Sequence, residues 1–361
     1  MKSQFLAMAT GLMVLLSPTD GAHAQSLSDL KAPAEPLVLA EQGSFFVGGR
    51  TVHAENSGWD ELRDLFGGAF ESGDVVVDQM YVQYQKPVDP THTPIVFMHG
   101  CCLSSKTWES TPDGRMGWYE YFTRNGFPTY MAEQTGRARS GFNGVLFNQV
   151  RAGDLPPQEQ PRILLATKEF AWAIFRFGPE LGEAWPDQQF PMNKVDELYK
   201  QVIPDMIKTE VPSLLQEFIS PTTNNPTIDN FADLATQLDG AILVGHSQSS
   251  GFPTQAVLKG KSGIKGIIQL ETGCFGDLND AQIEAMAEIP ILIMVGDHFG
   301  EQPGADCIAE MKAVNAAGGD MTFIALPDAG LKGNSHMFMQ DLNNIQVADI
   351  VIDWVAKHVD N

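Results

Sequence analysis

Basic residues are scarce in this 361-residue chain: 23 Lys and Arg stand against 45 Asp and Glu, for a formal net charge of −22. So acidic a surface repels phosphate backbones, and nucleic acid is not an expected partner. Long apolar runs are also missing. The stretch from Phe5 to Leu16 falls short of the about 20 residues that span a bilayer, so no stable membrane anchor is expected. With Lys2 before it and Ala22-His23-Ala24 after it, that stretch reads as a signal peptide over residues 1–24, cleaved before Gln25. The expected location is the periplasm or the medium. Cysteines number four, Cys101, Cys102, Cys274 and Cys307; an even count in an oxidising compartment suggests two disulfides, with three connectivities open. No His-Glu-x-x-His or similar ligand spacing occurs. A metallohydrolase built on His99, His246, Asp297 and His298 is therefore disfavoured, and no cofactor is expected.

What the chain does have is concentrated around Ser247. Ala241 to Val244 is a short apolar run suited to a central strand covered on both faces. Gly245-His246-Ser247-Gln248-Ser249 follows, and then a helix to about Leu258, stopped by Gly260. A strand, a tight turn with serine at its tip and a helix make the nucleophile-elbow pattern, with Ser249 in place of the second glycine.

Further strands are expected at Ser44–Val52 (two short ones around Gly48-Gly49), Val75–Gln85, Thr93–Met98, Phe127–Ala132, Ile264–Leu270, Pro290–Val295 and Thr322–Leu326. Residues 25–43 read as a loose arm. Helical patterns occupy Ala281–Ala287, Cys307–Ala316 and a C-terminal stripe of Val347, Ile350, Val351, Trp354 and Val355. Strands alternating with helices predict an α/β, doubly wound, mostly parallel sheet, with active groups at the carboxyl ends of its strands. From Phe142 to about Pro226 no clear strand is visible. Aromatics such as Phe170, Trp172, Phe175 and Trp185 instead suggest a helical insertion, at about 142–226, capping the strand ends.

Acyl transfer needs a nucleophile, a base, a group that orients the base, and donors for the oxyanion. Ser247 is the candidate nucleophile. His336, in a loop between the last strand and the last helix, is the candidate base. The backbone N–H groups of Gln248 and of Cys101, in His99-Gly100-Cys101-Cys102, are the candidate oxyanion donors. For the acid, Glu271, Asp297 and Glu301 all lie between Ser247 and His336, and the residues alone do not choose among them.

The ordered set His99-Gly100, Gly126-Phe127 through Ser140-Gly141, Gly245-His246-Ser247 and His336 resembles the α/β-hydrolase superfamily over residues 90–361. The Cys101-Cys102 pair and the Ser-Phe-Phe-Val-Gly-Gly-Arg stretch at 44–50 resemble, more narrowly, a group of secreted bacterial esterases. That resemblance implies Glu271 as the acid, a disulfide between the sequential Cys101 and Cys102 beside the oxyanion hole, and a second between Cys274 and Cys307. Adjacent Cα atoms, about 3.8 Å apart, argue against the first of these on geometry. The expected reaction is serine-dependent cleavage of a small-molecule carboxylic ester. Lactones, amides and polymer esters fall within reach of the same groups, a non-catalytic binding protein on this scaffold is the competing class, and a homodimer stays open.

Overall fold

The computed structural model describes residues 28, 30–56, 60–67, 72–207, 224–271, 274–275, 278–299 and 304–361. The proposed signal peptide and Glu301 lie outside them.

Among the described residues ten strands form in chain order: β1 Leu39–Glu55, β2 Ser72–Pro87, β3 Ile95–Met98, β4 Thr129–Ala132, β5 Arg162–Leu164, β6 Asp205–Ile207, β7 Ala241–His246, β8 Ile264–Leu270, β9 Ile291–Val295 and β10 Met321–Ala325. Eight of them make one sheet in the order β1-β2-β4-β3-β7-β8-β9-β10. From β4 to β10 every neighbouring pair is parallel, while β2 runs antiparallel to β4 and to β1. The helices are α1 Asp60–Phe66, α2 Trp118–Arg124, α3 Val145–Ala152, α4 Lys168–Ile174, α5 Val195–Gln201, α6 Pro226–Gln237, α7 Phe252–Leu258, α8 Asp280–Ala287, α9 Ala305–Ala316 and α10 Asn344–His358.

Side chains alternate across a strand, so each central strand feeds two cores. Phe97, Ile242, Val244, Leu270 and Met294 pack with Trp118 of α2 and with Val347, Val351 and Trp354 of α10. Val96, Leu243, Ile267 and Ile293 pack on the other face with Phe231 of α6, Phe252 of α7, Met286 of α8 and Val314 of α9. The helices begin where local chemistry starts them. The Asn225 side chain accepts from Thr227 N–H ahead of Pro226, and Asn279 with Gln282 forms a capping box at α8. This is the doubly wound sheet the sequence predicts. The Cys274–Cys307 disulfide ties the chain after β8 to α9.

Two expectations need correction. Ser44–Val52 is not two strands. β1 runs unbroken through Gly48 and Gly49, whose φ values of +67° and +101° bend it while pairing with β2 continues from Gly48↔Gln79 to Arg50↔Val77. It also begins at Leu39, inside the supposed arm. The region from Phe142 to Pro226 does contain strands: β5 and β6 pair antiparallel over three residues each. Asp205 follows Pro204, and α5 ends ahead of that proline, at Gln201.

Candidate active site

β7 delivers Ser247 at its carboxyl end, partly exposed and with φ +54°, a left-handed conformation costly for a non-glycine residue. Two glycines make the turn possible. A Cβ at Gly245 would sit 2.1 Å from Ser249 O, and one at Gly100 would sit 2.8 Å from Ser247 Cβ. Ser249 fits because its hydroxyl is used: it accepts from His246 N–H at 3.0 Å and lies 3.1 Å from Met98 O, to which it donates. The residue that departs from the usual glycine thus joins β3 to the elbow.

His336 stands beside this turn. Its N–H donates to Phe175 O at 3.0 Å, and its C=O accepts from His246 Nε2 at 2.9 Å. The His336 ring lies 4.9 Å from the His246 ring, next to Ser247, and is stacked on Phe175 at 5.8 Å. Its Nδ1 is 3.1 Å from Glu271 Oε2. Glu271 ends the run of β8 with φ +58° and a fully buried side chain. Its second oxygen, Oε1, accepts from Gly296 N–H at 2.6 Å and from Arg176 Nη2 at 2.8 Å. Gly296 permits that approach, since a Cβ there would lie 2.7 Å from Oε1. Burial pushes the Glu271 carboxyl up, but the Arg176 charge and the hydrogen bond with His336 outweigh it and hold the pKa at about 2. Burial lowers the His336 pKa, Glu271 raises it, Arg176 lowers it again, and the net direction is down.

Asp297, the rival acid, faces away from the imidazole. Its Oδ1 accepts from His298 N–H at 2.7 Å and its Oδ2 from Gly333 N–H at 3.0 Å, so it braces the start of the His336 loop. Asp341 braces the other end by accepting from Ser335 N–H, Ser335 Oγ and Asn334 Nδ2 at 2.7 to 3.0 Å. Its burial wins over these donors and raises its pKa to about 6.

The oxyanion side is built on β3 and β4. His99 Nδ1 donates to Gly100 O at 3.0 Å while Nε2 accepts from Gln134 N–H at 3.2 Å, a pattern for neutral imidazole. Burial, and then the Arg137 charge, lower its pKa to about 3. Among the described residues the Cys101 N–H that follows has no acceptor. The Gln248 side chain accepts from Arg137 Nη1 at 2.5 Å and donates to Asp205 Oδ2 at 3.3 Å, and Arg137 and Asp205 form a buried ion pair. Cys102, at φ +60°, gives its carbonyl to Ile203 N–H at 2.8 Å. The disulfide implied for Cys101 and Cys102 is absent from this structure: both are free thiols, their sulfurs within 4.8 Å of each other and of an Asp205 oxygen. Adjacent trans residues place their Cα atoms about 3.8 Å apart, below the roughly 4.4–6.8 Å usual for a disulfide, so a bond here would demand an unusual turn that the pair does not adopt.

Of the side chains a metal site would have needed, Asp297 and His298 converge with Asp187, without His99 or His246. The structure thus pairs His336 with Glu271 and sets the His336 ring against His246, the neighbour of Ser247, while Gly100, ahead of Cys101, lies close against Ser247. Sequence reasoning did not find Arg176, Asp205 or Asp341. Arg176 follows α4 in the insertion with no motif around it, and only its φ of +57° marks it, a signal the sequence does not carry.

No protein-family model matches the chain. A bacterial esterase solved at atomic resolution is 42% identical, with a TM-score of 0.80 over 91% of this chain and 99% of that one. A probable secreted lipase, phiG, of a fungal species (strain ATCC 74256) is 24% identical over 332 residues, 77% of this chain and 86% of the lipase. With the sheet order and this likeness together, the chain belongs to the α/β-hydrolase superfamily and is a carboxylic-ester hydrolase.

Proposed function

We propose that the chain hydrolyses carboxylic esters through an acyl-enzyme on Ser247, with His336 as base and Glu271 as the acid that orients it. With Nδ1 turned to Glu271, the other ring nitrogen, Nε2, takes the proton of Ser247 Oγ as that oxygen bonds to the carbonyl carbon. The carbonyl π pair becomes an oxyanion held by the N–H groups of Cys101 and Gln248. The tetrahedral species collapses, the alcohol leaves with the proton from His336, and water repeats the sequence to free the acid. The observation that carries this reading is the 3.1 Å contact between His336 Nδ1 and Glu271 Oε2, made by a ring packed on the neighbour of Ser247.

The insertion at about 142–226 acts as a cap on the site, supported by Phe175 against His336. Residues 1–24 direct export to the periplasm or medium, a reading that fits the secreted lipase relative. Among the described residues no helix is long and apolar enough to cross a membrane. The substrate is a small-molecule ester. The test is fluorophosphonate labelling with the adduct located by mass spectrometry. The label falls on Ser247 and disappears in Ser247→Ala; a label on another residue with activity intact would overturn the assignment.

A further inference from the structure

Nothing in serine-dependent ester cleavage calls for a cation beside the acid and the base, yet Arg176 supplies one. It belongs to the insertion, not to the sheet, and follows α4 in the left-handed conformation at φ +57°. Its side chain is held on every edge. Nη2 donates to Glu271 Oε1 at 2.8 Å, Nε donates to Asp297 O at 2.8 Å, and Cζ lies 4.8 Å from the Phe299 ring centroid. Nη1 lies 3.1 Å from His336 Nδ1. Only 12% of the side chain is exposed, so water screens it little.

Two consequences follow from this placement. The first is charge. Glu271 and Arg176 cancel, so the proton that His336 takes from Ser247 creates a net positive cluster, where an acid and base alone would become neutral. The second is geometry. When Nδ1 carries a hydrogen for Glu271, Nη1 faces another donor in the neutral and in the protonated ring alike, so this contact bears on which nitrogen holds the hydrogen and not on the proton at Nε2. The first effect weakens the imidazolium. A more acidic imidazolium is a poorer product of the attack step but gives its proton more readily to the departing alcohol.

Burial of the His336 ring lowers its pKa most, and Arg176 adds to that in the same direction; the other groups around the ring do not. Glu271, after β8, opposes it. His246, at the end of β7, is buried and donates its Nε2 hydrogen to His336 O, with a pKa lowered by burial to about 3. Asp297, after β9, turns its carboxylate to His298 and Gly333 N–H, and Asp341, on the same loop as His336, is occupied by Ser335 and Asn334. Phe175 and Ser247 are uncharged.

We propose that Arg176 is a positioning residue for ester hydrolysis: it holds Glu271 Oε1 so that Oε2 is left to His336, and it lowers the pH below which hydrolysis fails. The proposal rests on the reading of His336 as base and Glu271 as its partner.

The experiment follows kcat/KM against pH for wild type, Arg176→Lys and Arg176→Met on a short-chain p-nitrophenyl ester. In parallel, His336 is titrated by NMR in protein labelled with 15N-histidine, using His336→Ala to assign its signals. In wild type, His336 titrates below the usual value of about 6.5. In Arg176→Met the half-point rises by about one pH unit in both assays, so kcat/KM at pH 5 falls roughly tenfold further below its plateau. Arg176→Lys keeps the half-point near wild type, because the charge remains, but loses kcat, because lysine cannot make the fixed planar contacts. An unchanged half-point in folded Arg176→Met overturns the proposal. So does a wild-type His336 that titrates at or above 6.5, a result that does not depend on the folding of any Arg176 variant. If the catalytic reading itself is wrong, His336→Ala stays active while the NMR shift on Arg176→Met still appears, so the two failures are told apart.

Discussion

Removing the hydroxyl of Ser247 and the imidazole of His336 tests whether they act as one unit. Each alanine variant loses on the order of 10⁴–10⁶ in kcat and the double variant is little worse, measured on one ester at saturating substrate; losses that multiply would place the two in separate steps. Glu271 and Asp297 separate by what each replacement disturbs. Glu271→Gln cuts kcat by at least about 10², since the amide cannot stabilise the imidazolium. Asp297→Asn spares kcat to within tenfold but lowers Tm, since its carboxylate accepts only from the N–H groups of Gly333 and His298. The acid limb of the wild-type profile belongs to His336. A base must be neutral to act, and burial with Arg176 moves its pKa down, so activity persists to a lower pH than an ordinary imidazole allows, below about 6.5. Glu271, held at about 2, stays ionised across that range. Stopped assays from pH 4 to 9 check this, and a limb above 6.5 contradicts it.

The elbow is the element on which geometry leaves least room. An alanine at position 245 must move the backbone of Ser249, only 2.1 Å away, so Gly245→Ala costs about 3 kcal/mol or more and inactivates the protein that does fold. Ser249→Ala removes a hydroxyl that serves His246 N–H and Met98 O, and costs about 1–3 kcal/mol. Thermal denaturation of the two variants checks the order. This element was legible in the chain because an apolar strand, a small-residue turn and a helix fall within eighteen residues of one another and each has a local signature. His336 was marked as the candidate base by its place after the last strand, and its ring is paired with Glu271. Glu271 was not, because three carboxylates met the same local description and only resemblance chose among them. β5 and β6 escaped notice because three residues are too few to show a period of two, and β1 was divided in error because pairing with β2 overrides what Gly48 and Gly49 suggest locally. Arg176 was invisible for another reason: its role depends on contacts with Glu271, Asp297 and His336, which lie 95 to 160 residues away.

At the scale of the whole molecule, the Cys274–Cys307 bond clips the segment just after Glu271 to α9 across a separation of 33 residues. Chain-entropy arguments give such a closure up to about 4 kcal/mol. Cys307→Ser therefore lowers the denaturant midpoint, while kcat measured well below that midpoint stays within about threefold, because neither sulfur touches the proposed reacting groups; a collapse of kcat in the folded variant would give the bridge a direct part in holding Glu271. The backbone of His336 has a wider consequence. One of its peptide groups is bonded to Phe175 in the insertion and the other to His246 in the sheet, so the base hangs between two parts of the chain that differ in how freely they can be redesigned. Surface segments of a scaffold like this are the natural units to transplant when a new substrate range is wanted. Here a transplant that discards residues 175 and 176 would take away one of the two moorings of the proposed base along with the old segment, so a grafted insertion must bring a carbonyl and a guanidinium to the same two points before its new side chains can matter.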